Sequence, residues 1–238
     1  MVVKDSSLSI FNRTHDWKIT IVGLGGTGSR LAEKIAELNY MLLNSNKPGI
    51  QLNLIDFDIV EEKNIGRQKF YPNQIDQFKT KAIAQNLSRN YLMKNIKTCE
   101  LKIEDIKPSI NKENIIISCV DNFDARIFIH LNYKNSYIID LGNEKDFGQI
   151  FLSKYKELQN PIDFFGLKNF QKQSEESNFS CENYEDQFEQ QSHFINEAMA
   201  LYGIELLKDF LLNDTINYNC IFVNLKEKTT KKALKIWQ

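Results

Sequence analysis

Ile19-Thr20-Ile21-Val22-Gly23-Leu24-Gly25-Gly26-Thr27-Gly28 is the stretch on which the reading of this chain turns. A run of strand-forming residues enters G-x-G-x-x-G, and from Thr27 to Leu43 apolar residues return at Leu31, Ile35, Leu38 and Leu42, the spacing of one helix face. Strand, glycine turn and helix in that order give the glycines a physical task. Without β-carbons the backbone can approach phosphate oxygens, and the helix start offers unpaired amides and a positive dipole end. Turn residues Asn44 to Gly49 then lead to a second strand, Leu52 to Asp56, whose terminal carboxylate is placed to accept hydrogen bonds from ribose hydroxyls.

The alternation continues outward. A loop from Asp58 to Ile75 precedes a helix near Lys79 to Met93, and strands follow at Ile96 to Leu101 and Ile115 to Val120. Next come a helix over Asn122 to Tyr133, a strand over Tyr137 to Leu141, and a further strand, Phe147 to Leu152, that suits antiparallel addition. The expected class is α/β: a Rossmann-like doubly wound, mainly parallel sheet with helices on both faces and an antiparallel C-terminal extension. Residues 1–16 read as an N-terminal arm and 17–238 as one domain, with a polar insertion over about 154–190. Helical spacing resumes at Phe194 and runs to about Leu212, Cys220 to Val223 reads as a last strand, and the Lys-rich run Lys226 to Lys232 as a solvated end.

Composition narrows the function classes. In 238 residues, Lys plus Arg number 30 and Asp plus Glu 31, so a net charge of -1 supplies no global field for nucleic acid or an anionic membrane. Apolar residues at 42% and charged residues at 26% exclude disorder and collagen-like repeats. No stretch reaches the ~18 apolar residues of a membrane span and no signal peptide opens the chain, so a cytoplasmic protein is expected. Four dispersed cysteines make neither a disulfide framework nor a Cys-x-x-Cys zinc pair.

The loop alone does not separate a dinucleotide from a nucleoside triphosphate. Asp56, Asp58, Asn64, Arg67, Gln68, Lys81 and Asp121 decide, because each falls at the carboxyl end of a strand or in the loop or helix after it, around one crevice. Hydride transfer has no need of Arg67 and Lys81 beside phosphate, whereas a triphosphate has charge to neutralise and a magnesium ion for a carboxylate to hold. Adenylation fits better.

With these motifs in hand, the chain resembles the ThiF/MoeB/HesA family, bacterial relatives of ubiquitin-activating enzymes. The resemblance rests on Gly23 to Ser29, Asp56-Phe57-Asp58-Ile59-Val60, Asn64-Ile65-Gly66-Arg67-Gln68, Lys79-Thr80-Lys81-Ala82 and Cys119-Val120-Asp121-Asn122 with Arg126. It covers residues 17–212 and is strongest over 19–126. Ser180-Cys181-Glu182 and Gln191 to Asn196 resemble the ThiF-like protein of PRTRC gene clusters.

The resemblance implies ATP- and magnesium-dependent adenylation of the C-terminal glycine carboxylate of a small ubiquitin-like or sulfur-carrier protein. It also implies a homodimer and a conjugating-enzyme-like partner. By motif, Gly23, Gly25, Gly26, Thr27 and Gly28 cradle the nucleotide, Asp56 holds the ribose, Asn64, Arg67 and Lys81 the phosphates, and Asp121 the magnesium. Arg13 is the candidate for the arginine the family supplies from the other protomer's arm. Cys181, exposed and just before a helix, is the candidate thioester nucleophile. The family's zinc-binding cysteine pairs are missing, so no zinc is expected. His15, His130 and His193 lie at no metal-ligand spacing and read as surface, capping or packing residues. An oxidoreductase dependent on NAD(P) or FAD, a non-catalytic nucleotide-binding partner module, and an RNA-modifying relative that activates a nucleoside carboxylate stay open as alternatives.

Overall fold

The strand that feeds the glycine loop lies inside the sheet, with the chain crossing over it to reach its other neighbour. This is seen in a computed structural model that describes residues 2–3, 14–107, 114–164, 193–213 and 215–233. The order begins β1 (Val2–Val3), β2 (Trp17–Val22), α1 (Gly26–Asn44), β3 (Ile50–Ile55), α2 (Lys79–Tyr91) and β4 (Ile96–Cys99). It continues β5 (Asn114–Ser118), α3 (Phe123–Asn132), β6 (Tyr137–Glu144), β7 (Phe147–Ser153) and α4 (Pro161–Phe164). The last elements are α5 (His193–Leu212), β8 (Thr215–Ile216), β9 (Cys220–Asn224) and β10 (Thr229–Ala233). Val2–Val3 and Thr215–Ile216 form a small antiparallel pair apart from the main sheet.

The main sheet has eight strands in the order β10-β9-β7-β6-β5-β2-β3-β4. β4, β3, β2, β5 and β6 pair in parallel, and β7, β9 and β10 follow, each antiparallel to the strand before it. The class read from the sequence is therefore the one observed. From β2 the chain winds to β3 and β4, then crosses to β5 on the opposite side, so the order reverses beside β2. Such a reversal opens a crevice at the carboxyl ends of the strands.

Alternation along the strands divides the core between two faces. Ile19, Ile21, Leu52, Leu54, Ile115 and Ile117 pack with Leu31 and Ile35 of α1, Ile83 and Leu87 of α2, and Leu207 of α5. On the other face, Val22, Ile55, Ile116 and Ile138 pack with Ala125 and Ile129 of α3. Each such Ile or Leu contributes roughly 1.5–3 kcal/mol by leaving water. Helix α1 stops where Asn46 takes a left-handed φ of 54° and the Lys47 amide turns back to the Leu42 carbonyl at 3.0 Å. Helix α3 starts where the Asn122 side chain accepts from the amides of Asp124 and Ala125.

The Lys-rich C-terminal run is exposed from Lys226 to Lys232, as its reading as a solvated end expects. It also contributes strand β10, which that reading did not include, with Lys231 and Lys232 opposite Phe222 and Ile221. The strand exists because β9 offers a free edge, a partner that composition does not reveal. Of the polar insertion, 165–192 lie outside the described residues, and so do Arg13 and Cys181.

Candidate active site

A crevice of about 450 Å³ opens at the carboxyl ends of β2, β3 and β5. Its lining includes Gly23, Gly25, Gly26, Thr27, Asp56, Asp58, Arg67, Gln68 and Asp121 from the sequence-derived set. Two glycines of the loop are fixed by geometry, and one of them, Gly28, lies behind the lining rather than in it. Gly23 has a φ of +87°, and a β-carbon on it would lie 2.9 Å from the Cys119 carbonyl oxygen. A β-carbon on Gly28 would lie 1.9 Å from the Gly23 carbonyl oxygen, so only glycine lets α1 start this close to the turn. No side chain caps α1 at Gly25. Its first turn therefore keeps the unpaired amides and positive dipole end that suit an anion.

Asp56 is buried at the end of β3 and tied by backbone amides. Leu24 N–H donates to its Oδ2 at 2.6 Å and Asp58 N–H to its Oδ1 at 2.9 Å. Burial pushes the carboxyl above its ordinary value; those two amides and the Lys79 charge pull the other way. Asp58 in turn holds Lys79, with Nζ 2.7 Å from Oδ2 and the Lys79 amide donating to the Asp58 carbonyl at 2.9 Å.

That pairing changes which lysine faces the crevice. Lys79, at the first position of α2, is buried and lines it. Lys81 is exposed, lies outside the lining, and sets its ammonium 5.2 Å from the centre of the Phe78 ring. Two residues on a helix are about 200° apart, so a helix that aims Lys79 inward aims Lys81 away. Asn64 is also absent from the lining. It is buried in the one-turn 3-10 segment Glu62–Asn64, where its Oδ1 accepts from the Glu61 amide at 2.9 Å and its carbonyl from the Gln68 amide at 2.9 Å. Its position fixes the loop that presents Arg67 and Gln68.

Several site residues carried no signal in the sequence reading. Arg30 is buried on α1 and donates to the carbonyls of Gly26 at 2.9 Å and Arg67 at 2.6 Å, and to Glu197 Oε1 at 2.7 Å. Thr27 Oγ1 lies 2.9 Å from Asn196 Oδ1 and 3.2 Å from Asn143 Oδ1, which brings α5 and β6 onto the glycine loop. His130, read as a packing residue, is paired: its Nε2 is 2.8 Å from Oδ2 of the buried Asp140. Asp140 Oδ1 also accepts from Arg126. The i, i+4 spacing of Arg126 and His130 was the available clue, since it places both on one side of a helix.

The lining fits a nucleoside triphosphate. Gln68 is part of that lining, beside Arg67. Lys79 and Arg67 add positive charge beside the glycine loop. Among the described residues no cluster of three or more His, Cys, Asp or Glu could hold a metal unaided. Magnesium commonly takes one or two carboxylates and completes its shell with phosphate oxygens and water; Asp121 is an exposed carboxylate of this lining.

Residues 4–140 match the model of the ThiF family. The chain belongs to that family. A relative from Oryza sativa subsp. japonica, ubiquitin-like modifier-activating enzyme 5, is 32% identical over 136 residues, covering 50% of this chain and 30% of that protein. The corresponding Drosophila virilis enzyme is 31% identical over 144 residues, covering 54% and 32%. The chain thus spans about a third of the length of these relatives. Among solved structures, E. coli MccB with ATP superimposes with a TM-score of 0.65 at 18% identity, covering 92% of this chain and 64% of that one. The microcin C7 biosynthetic enzyme MccB in complex with N-formylated MccA gives 0.67 at 16% identity, covering 92% and 65%. At these identities the likeness establishes the shared fold.

Proposed function

We propose that this ThiF-family chain adenylates the C-terminal glycine carboxylate of a small ubiquitin-like or sulfur-carrier protein, using ATP and magnesium. The observation that carries the reading is the convergence of an uncapped glycine loop, Arg67, Lys79 and Asp121 on one crevice at the reversal point of the sheet. The activating-enzyme relatives and the MccB structures with ATP and with MccA support it.

The carboxylate of the carrier repels the anionic phosphate it must attack. Arg67 and Lys79 offset that repulsion and take up charge as it builds on the phosphate, a fixed electrostatic contribution that requires no general base. Glycine-loop amides orient the nucleotide, and the buried Asp56 is placed for the ribose. Bound there, ATP supplies the adenylyl group and pyrophosphate as leaving group, with magnesium held by Asp121. Asp58 keeps Lys79 in place. The carrier's tail has a path in a second groove of about 760 Å³, which shares Asp121, Arg126, Gly142 and Asn143 with the crevice and continues past Phe147, Phe222 and Lys231. In the same proposal Cys181 accepts the activated carboxyl as a thioester, Arg13 acts across a homodimer, and a conjugating-enzyme-like protein receives the product.

Isotope exchange tests the reaction. With ATP, magnesium and a carrier ending in glycine, labelled pyrophosphate should return into ATP. Absence of exchange for every such carrier, with ATP bound, would rule the reaction out.

A further inference from the structure

Arg126 sits where the nucleotide crevice and the second groove meet, and it lines both. Its guanidinium is held on three sides. Nη1 donates to Asp140 Oδ1, while Nη2 donates to the Val120 carbonyl at 2.8 Å and the Leu141 carbonyl at 3.3 Å. It thereby bridges the chain leaving β5 to strand β6. Gly142 leaves it room, since a β-carbon there would lie 2.9 Å from Nη1. Asp140, almost wholly buried, is held from its other side by His130. A guanidinium has five N–H donors, and these three bonds use one Nη1–H and both Nη2–H, which leaves Nε–H and the second Nη1–H on separate edges of the group.

We propose that Arg126 receives the incoming carboxylate at this junction, and that Asp140 is the positioning residue that fixes the guanidinium and cancels its charge. The assignment rests on the adenylation reading for its purpose. An uncompensated arginine would bind a carboxylate as a tight ion pair and stabilise the ground state of the nucleophile, which slows attack. An arginine neutralised from behind still offers an N–H donor and so orients the carboxylate without trapping it. Arg67 and Lys79 act on phosphate; Arg126 acts on the acceptor.

The test is a binding measurement on the full chain. Calorimetry compares a synthetic peptide ending in Gly-Gly with its C-terminal amide, with and without a non-hydrolysable ATP analogue and magnesium, and ATP is titrated separately. Wild type should prefer the free carboxylate by about tenfold. Arg126→Gln should abolish the preference. Asp140→Asn, which keeps an acceptor but removes the charge, should bind the carboxylate peptide about threefold or more tightly, an increase that loss of structure would not produce. If Arg126→Gln strands Asp140 and fails to fold, the double variant with Asp140→Asn removes both charges together and should lack the preference. No preference in wild type, or its survival without Arg126, overturns the assignment, and so does unchanged or weaker binding in Asp140→Asn. Failure to bind ATP with the preference intact would overturn the adenylation reading and leave the role of Arg126 standing.

Discussion

The Arg30 guanidinium donates a 2.6 Å hydrogen bond to the carbonyl oxygen of Arg67, so one arginine, buried in the first helix, sets the place of another in the crevice. The same side chain grips the Gly26 carbonyl and Glu197, while Ser29 Oγ accepts from the Lys69 amide at 3.2 Å. Loop, glycine turn and last helix are therefore fastened at one point.

Arg30→Met keeps the apolar stem and removes these bonds. Charged hydrogen bonds contribute about 1.5–3 kcal/mol each at most, and Glu197 can turn to solvent, so a total loss of about 2–3 kcal/mol is expected. Urea unfolding measures it. ATP affinity should fall as well, since Arg67 loses its anchor; intact affinity in the destabilised variant would show that the loop holds itself.

Lys79 and Lys81 separate cleanly. Lys79→Ala should lower pyrophosphate exchange by about 10²-fold or more, the usual scale for an electrostatic contact with a transition state. Lys81→Ala should stay near wild type, because its ammonium rests over Phe78 on the outside. Equal losses in the two variants would place the phosphates elsewhere.

Asp56 predicts a sign for the pH dependence. Burial raises its folded value above the ordinary 3.8 against the pull of the Leu24 and Asp58 amides and Lys79. The folded protein thus keeps this proton longer than the unfolded chain. Its contribution is most favourable below the unfolded value and is lost as pH rises through the folded one. Relative to Asp56→Asn, wild type should lose ground in urea melts taken from about pH 3 to about pH 6. A difference that stays flat or grows would mean the amides outweigh burial.

Cys119 faces Gly23 and Gly28 from the end of β5. Burial pushes its thiol from 9.0 up to about 12, Asp140 adds to the rise, and Arg126 opposes it. Alkylation by iodoacetamide near neutral pH should be slower than in the unfolded chain by on the order of 10²-fold or more, read by mass spectrometry. Rapid labelling of Cys119 in the folded protein would contradict this.

The first β-α-β unit was legible because its signal is local: Ile19 to Val22, the glycines and the Leu31, Ile35, Leu42 stripe lie within one window of sequence. Asp56, Arg67 and Asp121 were legible because strand ends point to one edge of a parallel sheet. That Lys79 rather than Lys81 lines the crevice was not legible, since both lie in Lys79-Thr80-Lys81 and only the docked orientation of α2 tells them apart. Asn196 and Asp140 were invisible for another reason. Their partners, Thr27 and Arg126, are chosen by how α5 and β6 pack, and no spacing in the sequence encodes that. The edge strand β10 escaped for the same cause, as lysines and threonines form a strand there only by pairing with β9.

The grip of Asn196 on Thr27 also orders events in time. A ribosome makes the glycine loop well before α5, so for a time the nascent chain carries a phosphate cradle that α5 does not yet brace. Domains tend to fold as units during synthesis. The cradle gains that wall only after α5 has emerged, and translation itself delays the moment at which a nucleotide can be gripped.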